Sequence, residues 1–333
     1  MRKIFNNFSK NPKDDILAGI TVSLAMIPEV VAFAFVAGID PLVALSGAFI
    51  IGLITALFGG RPGLISGAAG AVAVIFVDLI IKGHERGMLG LVALTMAIIW
   101  LLPKLTKKIP AALTAILVTT AVVIFSGMDA STVGSYIIEG GGTGLKGELP
   151  TPNMELWENL PIGYDTFLFI LPYAFLAAAV GLIESLMTMN LVDELTETRG
   201  SGNRECVAQG AGNIISGLFG GTGGCGMIGQ TVININAGGR GRLSGVMTSV
   251  TLLTFLLFTD KLIEQVPIAA LIGVMFMMVI ETFAWSSFRI LKKIPRSDAF
   301  VLIIVSAVTV VFDLAIAVFV GVIVSALVFA WES

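Results

Sequence analysis

Two carboxylates sit inside otherwise apolar stretches of the chain, Glu29 and Glu184. A charge in such surroundings is costly unless it is paired or used, so each marks a candidate site. Thr188 follows Glu184 by one helical turn in the run Gly181-Leu182-Ile183-Glu184-Ser185-Leu186-Met187-Thr188, which puts carboxylate and hydroxyl on one helix face. That pair suits a sodium ion or a proton held beside an anion. A structural carboxylate bonded to a neighbouring helix end is the plainer use. Glu29 follows Pro28, whose ring frees a carbonyl and permits a bend toward the same cavity. Phe33 stands one turn further on, where its ring could close over a substrate or simply pack.

Two runs of small residues supply the other half of the chemistry. The first is Ser66-Gly67-Ala68-Ala69-Gly70-Ala71, and the second is Gly223-Gly224-Cys225-Gly226-Met227-Ile228-Gly229, with Thr231 just beyond. Each opens a short apolar segment. A helix that starts in mid-membrane leaves its first backbone N–H groups unpaired and carries partial positive charge there. Two such starts facing one another make an anion site without a fixed cation. Gly and Ala let backbone approach a ligand closely, and Ser66 and Thr231 can add hydroxyl donors. Neither run contains Lys or Arg, which favours a small, exchangeable anion over a large polyanion. Cys225 has no neighbour in sequence that would lower its pKa, so no reactive role is expected of it.

The runs belong to a longer internal similarity. Leu57-Phe58-Gly59-Gly60 recurs as Leu218-Phe219-Gly220-Gly221, each with a small-residue run after it and an intramembrane acid upstream. Taken alone, either run reads as an ordinary helix-packing face. The matched anchors and acids read instead as two related halves with a site at the midplane.

Composition sets the class that can hold such a site. Of 333 residues, 13% are charged and 56% are apolar, and mean hydropathy is +0.95. Soluble domains carry about 25% charged residues, so a soluble enzyme is excluded. A net charge of −3 argues against a nucleic-acid partner. The single His84 argues against a His-rich metal site, and Cys206 with Cys225 makes no disulfide framework. The chain contains no P-loop, HExxH motif, paired CxxC or nucleophile elbow. Neither a metal, a cofactor nor enzymatic chemistry is expected.

The apolar runs are too long for barrel strands and fit spanning helices. About twelve segments are read, near 16–37, 42–58, 68–82, 88–102, 111–126, 166–190, 203–219, 225–236, 243–258, 266–283, 298–312 and 314–331. Arg61, Lys104, Arg199, Arg204, Arg240, Arg242 and Arg289 all fall in loops on one side, together with the basic start Arg2 to Lys13. That side is expected to be cytoplasmic, as are both termini, in the cell membrane. Residues 1–15 form the cytoplasmic start, 16–126 a first repeat, 127–165 an acidic extracytoplasmic loop and 166–331 a second repeat. The odd segment count of the first repeat inverts the second. Five segments against seven leave the first two short, with the gap near Lys82–Gly87. Asp193, Glu194, Glu197 and Arg199 read as a solvated helix extension, and Asn203–Gln209 as a cytoplasmic helix start.

At these residues the chain resembles the SulP family of sulfate permeases and related inorganic anion transporters. The resemblance rests on Leu191–Gly200, on Val207–Ile214 and on Gly217–Gly221. It extends to Ile27-Pro28-Glu29, to Thr231–Ile235 and to Gly238-Gly239-Arg240. It implies an all-α polytopic fold of two inverted seven-helix repeats, with a core domain moving against a gate domain. The anion then sits between the N-termini of discontinuous third and tenth helices, at Ser66, Gly67, Ala68, Ala69, Gly70, Gly224, Cys225, Gly226, Met227, Ile228 and Thr231, with Phe33. Trp100–Lys104 matches the end of the family's sixth span, so the fourth and fifth spans are the absent pair. Bicarbonate-transporting members use an Asp and a Thr for sodium where this chain has Glu184 and Thr188. Their tenth-span hydroxyl residue corresponds to Ile228. These departures favour a proton over sodium as coupling ion. The resemblance also implies homodimers and a cytoplasmic STAS domain, which would begin where the chain stops at Trp331-Glu332-Ser333. The expected function is secondary active transport of a small inorganic anion, sulfate first and bicarbonate next. The competing expectation, motivated by the absent pair, is a transport-inactive shortened protein or scaffold.

Overall fold

The computed structural model describes residues 8–37, 39–68, 86–106, 110–139, 147, 149–152, 163–282, 294–311, 320–321 and 323–324. Predicted segments 68–82 and 314–331 therefore lie largely outside the described residues. The helices are α1 (Pro12–Ala37), α2 (Pro41–Phe58), α3 (Arg86–Leu105), α4 (Ala111–Ser126), α5 (Val133–Glu139), α6 (Tyr164–Thr196), α7 (Gly202–Leu218), α8 (Ile228–Asn236), α9 (Arg242–Phe258), α10 (Asp260–Glu264), α11 (Ile268–Thr282) and α12 (Arg296–Val311). Two short strands, β1 (Ser66–Ala68) and β2 (Gly224–Gly226), interrupt them.

Local sequence accounts for the helix ends. Asp40 caps α2 by accepting from Leu42 N at 2.8 Å, with Pro41 at the first helical position. Gly127, left-handed at φ 63°, closes α4. The two Leu-Phe-Gly-Gly runs do matching work: each ends a helix, α2 or α7, and turns the chain toward a strand. Three side chains from the second half converge on the first run. Arg242 donates to the Ala56, Leu57 and Gly59 carbonyls at 2.8, 3.1 and 2.6 Å. Arg204 Nε donates to Phe58 O at 2.7 Å, and Gly60 N donates to Glu205 Oε2 at 2.7 Å. The orphan carbonyls at the end of α2 thus meet fixed positive charge.

The chain divides into two compact units. The larger comprises 1–160 and 181–279. In it α9 packs on α1 and α2, α7 packs on α2, and α8 packs on α1. Its apolar core joins Val22, Met26 and Val30 of α1 to Leu45 of α2 and to Leu252 and Leu256 of α9. A second apolar cluster joins Leu91 and Val92 of α3, Val123 of α4, and Ile268 and Ile272 of α11. The smaller unit, 161–180 and 280–333, holds the start of α6 and α12.

Three helical stretches among the described residues are long and apolar enough to cross a membrane: Pro41–Phe58, Met88–Leu105 and Tyr164–Thr196. The last exposes Phe167, Phe169, Tyr173 and Phe175 along its first turns, a surface suited to lipid rather than water.

One expectation changes. Asp193 is not part of a solvated extension: it pairs with Arg61 at 3.0 Å, side chains 18% and 5% exposed. The same guanidinium donates to Val192 O at 3.2 Å, to Thr198 Oγ1 at 2.8 Å and to Thr196. A loop arginine has become the tie between the end of α2 and the end of α6. Glu194, Glu197 and Arg199 are exposed, as expected.

Candidate functional site

The two small-residue runs meet. β1 and β2 pair antiparallel, with Ser66 opposite Gly226, Gly67 opposite Cys225 and Ala68 opposite Gly224. Glycine is required at position 224, because a Cβ there would overlap the Gly67 backbone carbonyl, whereas one on Gly67 would displace the flexible end of Met26. Side chains fix the pair from both ends. Asn213 on α7 clamps Gly224, accepting from its N–H and donating to its carbonyl, both at 2.9 Å. Met227 N donates to Ile65 O at 2.9 Å. The Thr231 hydroxyl accepts from Ile65 N at 3.0 Å, so it binds the first run rather than pointing away from it.

α8 starts at Ile228, directly after β2, with Met227 at its N-cap and no side-chain hydrogen bond capping it. Its first N–H groups therefore lack the usual partner. Ile228 is 40% exposed, so this helix start is reachable, whereas Cys225 and Met227 are buried. The corresponding start expected after β1, at Ala69 and Gly70, lies outside the described residues; Ala68 ends β1.

α6 brings the predicted acid and hydroxyl to the same strand. Glu184 Oε2 accepts from Cys225 Sγ at 3.0 Å. The fully buried Thr188 hydroxyl lies within donor distance of Gly226 O at 3.0 Å and of Glu184 O at 2.8 Å. Its hydrogen can serve only one carbonyl at a time. Glu29 on α1 accepts from Gln230 on α8, so both predicted acids touch the second run or the helix that follows it. Phe33 is placed differently from these groups, buried in the apolar core with Val30, Ile65 and Met227.

Several participants escaped the sequence reading. Ser185 accepts from Gly226 N at 2.8 Å, completing the grip of α6 on β2. Gln209 on α7 donates to Ser66 Oγ at 2.7 Å and to Glu205 Oε1 at 3.0 Å. A helix does start here, at Gly202, as the reading of Asn203–Gln209 expects, but Glu205 and Gln209 face inward and are buried. The available signal was a polar stripe, Glu205, Gln209 and Asn213, recurring every four residues through an otherwise small and apolar segment. Gln209→Leu strips a donor from two buried oxygens. It is expected to cost about 1–3 kcal/mol, read as a lower unfolding temperature of the purified protein. An unchanged temperature would refute the structural role of the link.

Comparison with known proteins matches the chain to a family. The sequence profile described as the Sulfate permease family matches residues 13–99 and 85–305. The Bacillus subtilis (strain 168) protein named "Putative sulfate transporter YbaR" is 36% identical over 96% of this chain and 77% of its own length. The Synechocystis protein named "Bicarbonate transporter BicA" is 30% identical over 90% of this chain, which spans half of that relative. Among solved structures, the transmembrane domain of a cyanobacterial bicarbonate transporter BicA superposes with a TM-score of 0.77, covering 92% of this chain and 97% of that one at 24% identity. The overall structure of SLC26A9 gives 0.74 over 96% of this chain and 65% of that one, at 14% identity. These two likenesses establish a mostly helical, membrane-domain fold. The chain belongs to the sulfate permease family, a membrane transporter family rather than a family of enzymes.

Proposed function

We propose that this protein is a secondary active transporter of small inorganic anions, sulfate first and bicarbonate next. The observation that carries the reading is the uncapped, reachable start of α8 beside the crossed glycine strands. There backbone N–H groups can hold an anion without a fixed cation. The names of the relatives support anion transport. In this reading Ser66–Gly70 and Gly224–Thr231 form the substrate site, between the N-termini of two discontinuous helices. Two inverted repeats, core and gate, rock around it in alternating access. The antiparallel crossing of β1 and β2 supports the inversion. Glu184, Thr188 and Glu29 carry the coupling, by a proton in preference to sodium. The protein sits in the cell membrane with both termini cytoplasmic, as a homodimer.

A second reading has its own support. The family profile matches in two stretches, and the alignment to the Bacillus relative runs over 377 positions against the 333 residues of the chain. Both observations fit an internally shortened first repeat, short of the fourth and fifth spans, and with it a transport-inactive scaffold.

Uptake of radiolabelled sulfate and bicarbonate into proteoliposomes separates the two. The transporter reading expects uptake above that of empty liposomes, stimulated by an inward proton gradient. Uptake at the empty-liposome level under proton and sodium gradients alike, restored by inserting two spans after Lys82, would establish the scaffold instead.

A further inference from the structure

Four basic residues from four separate segments meet at one cleft. Lys10 precedes α1, Arg61 follows α2, Arg199 lies between α6 and α7, and Arg240 lies between α8 and α9. The cleft has a volume of about 480 Å³ and is also lined by Thr196 and Thr198. Basic loops on a cytoplasmic face are ordinarily spread out and solvated. Here they converge on one concavity. Of these four, Arg61 is paired with an acid, Asp193. Asp15 of α1 touches the Arg240–Gly241 rim, its Oδ1 accepting from Arg240 N and Gly241 N at 2.8 and 3.0 Å.

Arg61 is the informative member. It is 6% exposed, and its Nε is buried without a protein partner. Burial pulls its pKa below the usual arginine value, Asp193 raises it, and the Arg240 charge lowers it again. Arg61 and Arg240 line one cleft with no carboxylate among its lining residues, and like charges so placed repel. An anion binding there would relieve that repulsion. Arg61 spends its terminal nitrogens on Asp193, Val192 O, Thr196 and Thr198, so the direct contacts fall to the exposed Lys10, Arg199 and Arg240. The guanidinium forks of the two arginines match the paired oxygens of a tetrahedral oxyanion.

The cleft is not the candidate transport site. Thr196 stands twelve residues along α6 from Glu184, about 18 Å at 1.5 Å per residue.

We propose that this cleft is a second anion site, for a phosphate group, on the face the basic loops assign to the cytoplasm. The group can arrive as free phosphate or as the headgroup of an anionic phospholipid, since both present the same oxygens.

The test uses the full chain. Unfolding temperature is measured in neutral detergent with rising inorganic phosphate. It is measured again in nanodiscs of phosphatidylcholine with or without phosphatidylglycerol. Lys10, Arg199 and Arg240 are exposed, so Lys10→Gln, Arg199→Gln and Arg240→Gln can be combined without disturbing the core. Arg240→Gln alone serves as a milder companion. Arg61 is left intact because it holds α6. The expected result is a ligand-dependent rise in the wild-type temperature and an affinity at least about tenfold weaker in the triple variant, the size of one lost charged contact. A rise with inorganic phosphate identifies a free anion. A rise with phosphatidylglycerol alone identifies a headgroup. No rise with either, or an equal rise in the triple variant, overturns the proposal. None of these readouts involves flux, so the outcome is independent of whether the chain transports anions.

Discussion

Gly224→Val is expected to abolish anion uptake and to leave little folded protein. A Cβ at this position would overlap the Gly67 carbonyl oxygen, stand 2.8 Å from the Gly67 carbonyl carbon and 3.0 Å from Ile51 Cδ1. The first two obstacles are backbone, so no rotamer change relieves them. Nor can the strand retreat, because Asn213 holds the Gly224 N–H and carbonyl at once. Overpacking typically costs about 1–3 kcal/mol where side chains can adjust, and here the adjustment would have to come from the strand pair itself. Gly210→Ala is the matched control. It lies on α7 with nothing within 4 Å of its added Cβ, and alanine is the better helix former. Monodispersity on size exclusion, unfolding temperature and sulfate uptake check both variants. A Gly224→Val protein with wild-type unfolding and uptake would show that the strand crossing is not what holds the site.

Why this crossing escaped the sequence is physically clear. A strand is announced by alternating side chains, and Ser66-Gly67-Ala68 with Gly224-Cys225-Gly226 offers almost none. The small residues were visible as places where backbone must come close. Whether close to a ligand, a helix or another strand was not. The helices were legible, because an apolar run bounded by Pro, Gly or charge reads directly as an element. α2 and α4 coincide with predicted segments to within a residue or two.

The polar links across the chain were the least visible. Gln209 to Ser66, Gln230 to Glu29 and Arg242 to the end of α2 all join residues far apart in sequence, so no local spacing betrays them. Charge type misled for the same reason. Asp193 looked like part of a solvated helix extension and Arg61 like a loop charge, because the partner that desolvates each lies on a distant segment. Glu184 and Thr188 were found because their separation of one turn is local information. The bond each makes to the second strand is not.

That pair gives the sharpest mechanistic expectation. Glu184→Gln is expected to lower sulfate uptake by about tenfold or more, the effect of losing one interaction with a charged group, and to abolish its stimulation by an inward proton gradient. The substitution isolates charge from structure. The carboxylate oxygen that accepts from Cys225 Sγ is replaced by an amide oxygen that can accept the same bond. Thr188 binds the Glu184 backbone carbonyl and Gly226 O, neither of which changes. Unfolding temperature should therefore stay near wild type while coupling is lost. Cys225→Ser supplies the complementary arm, since a hydroxyl keeps the donor and leaves the acid in place; gradient-stimulated uptake should survive in it. If Glu184→Gln transports at the wild-type rate and still responds to the gradient, the carboxylate is only an acceptor for the second strand. The coupling proton would then have to be carried by Glu29, whose link to Gln230 places it against the helix that starts at the site.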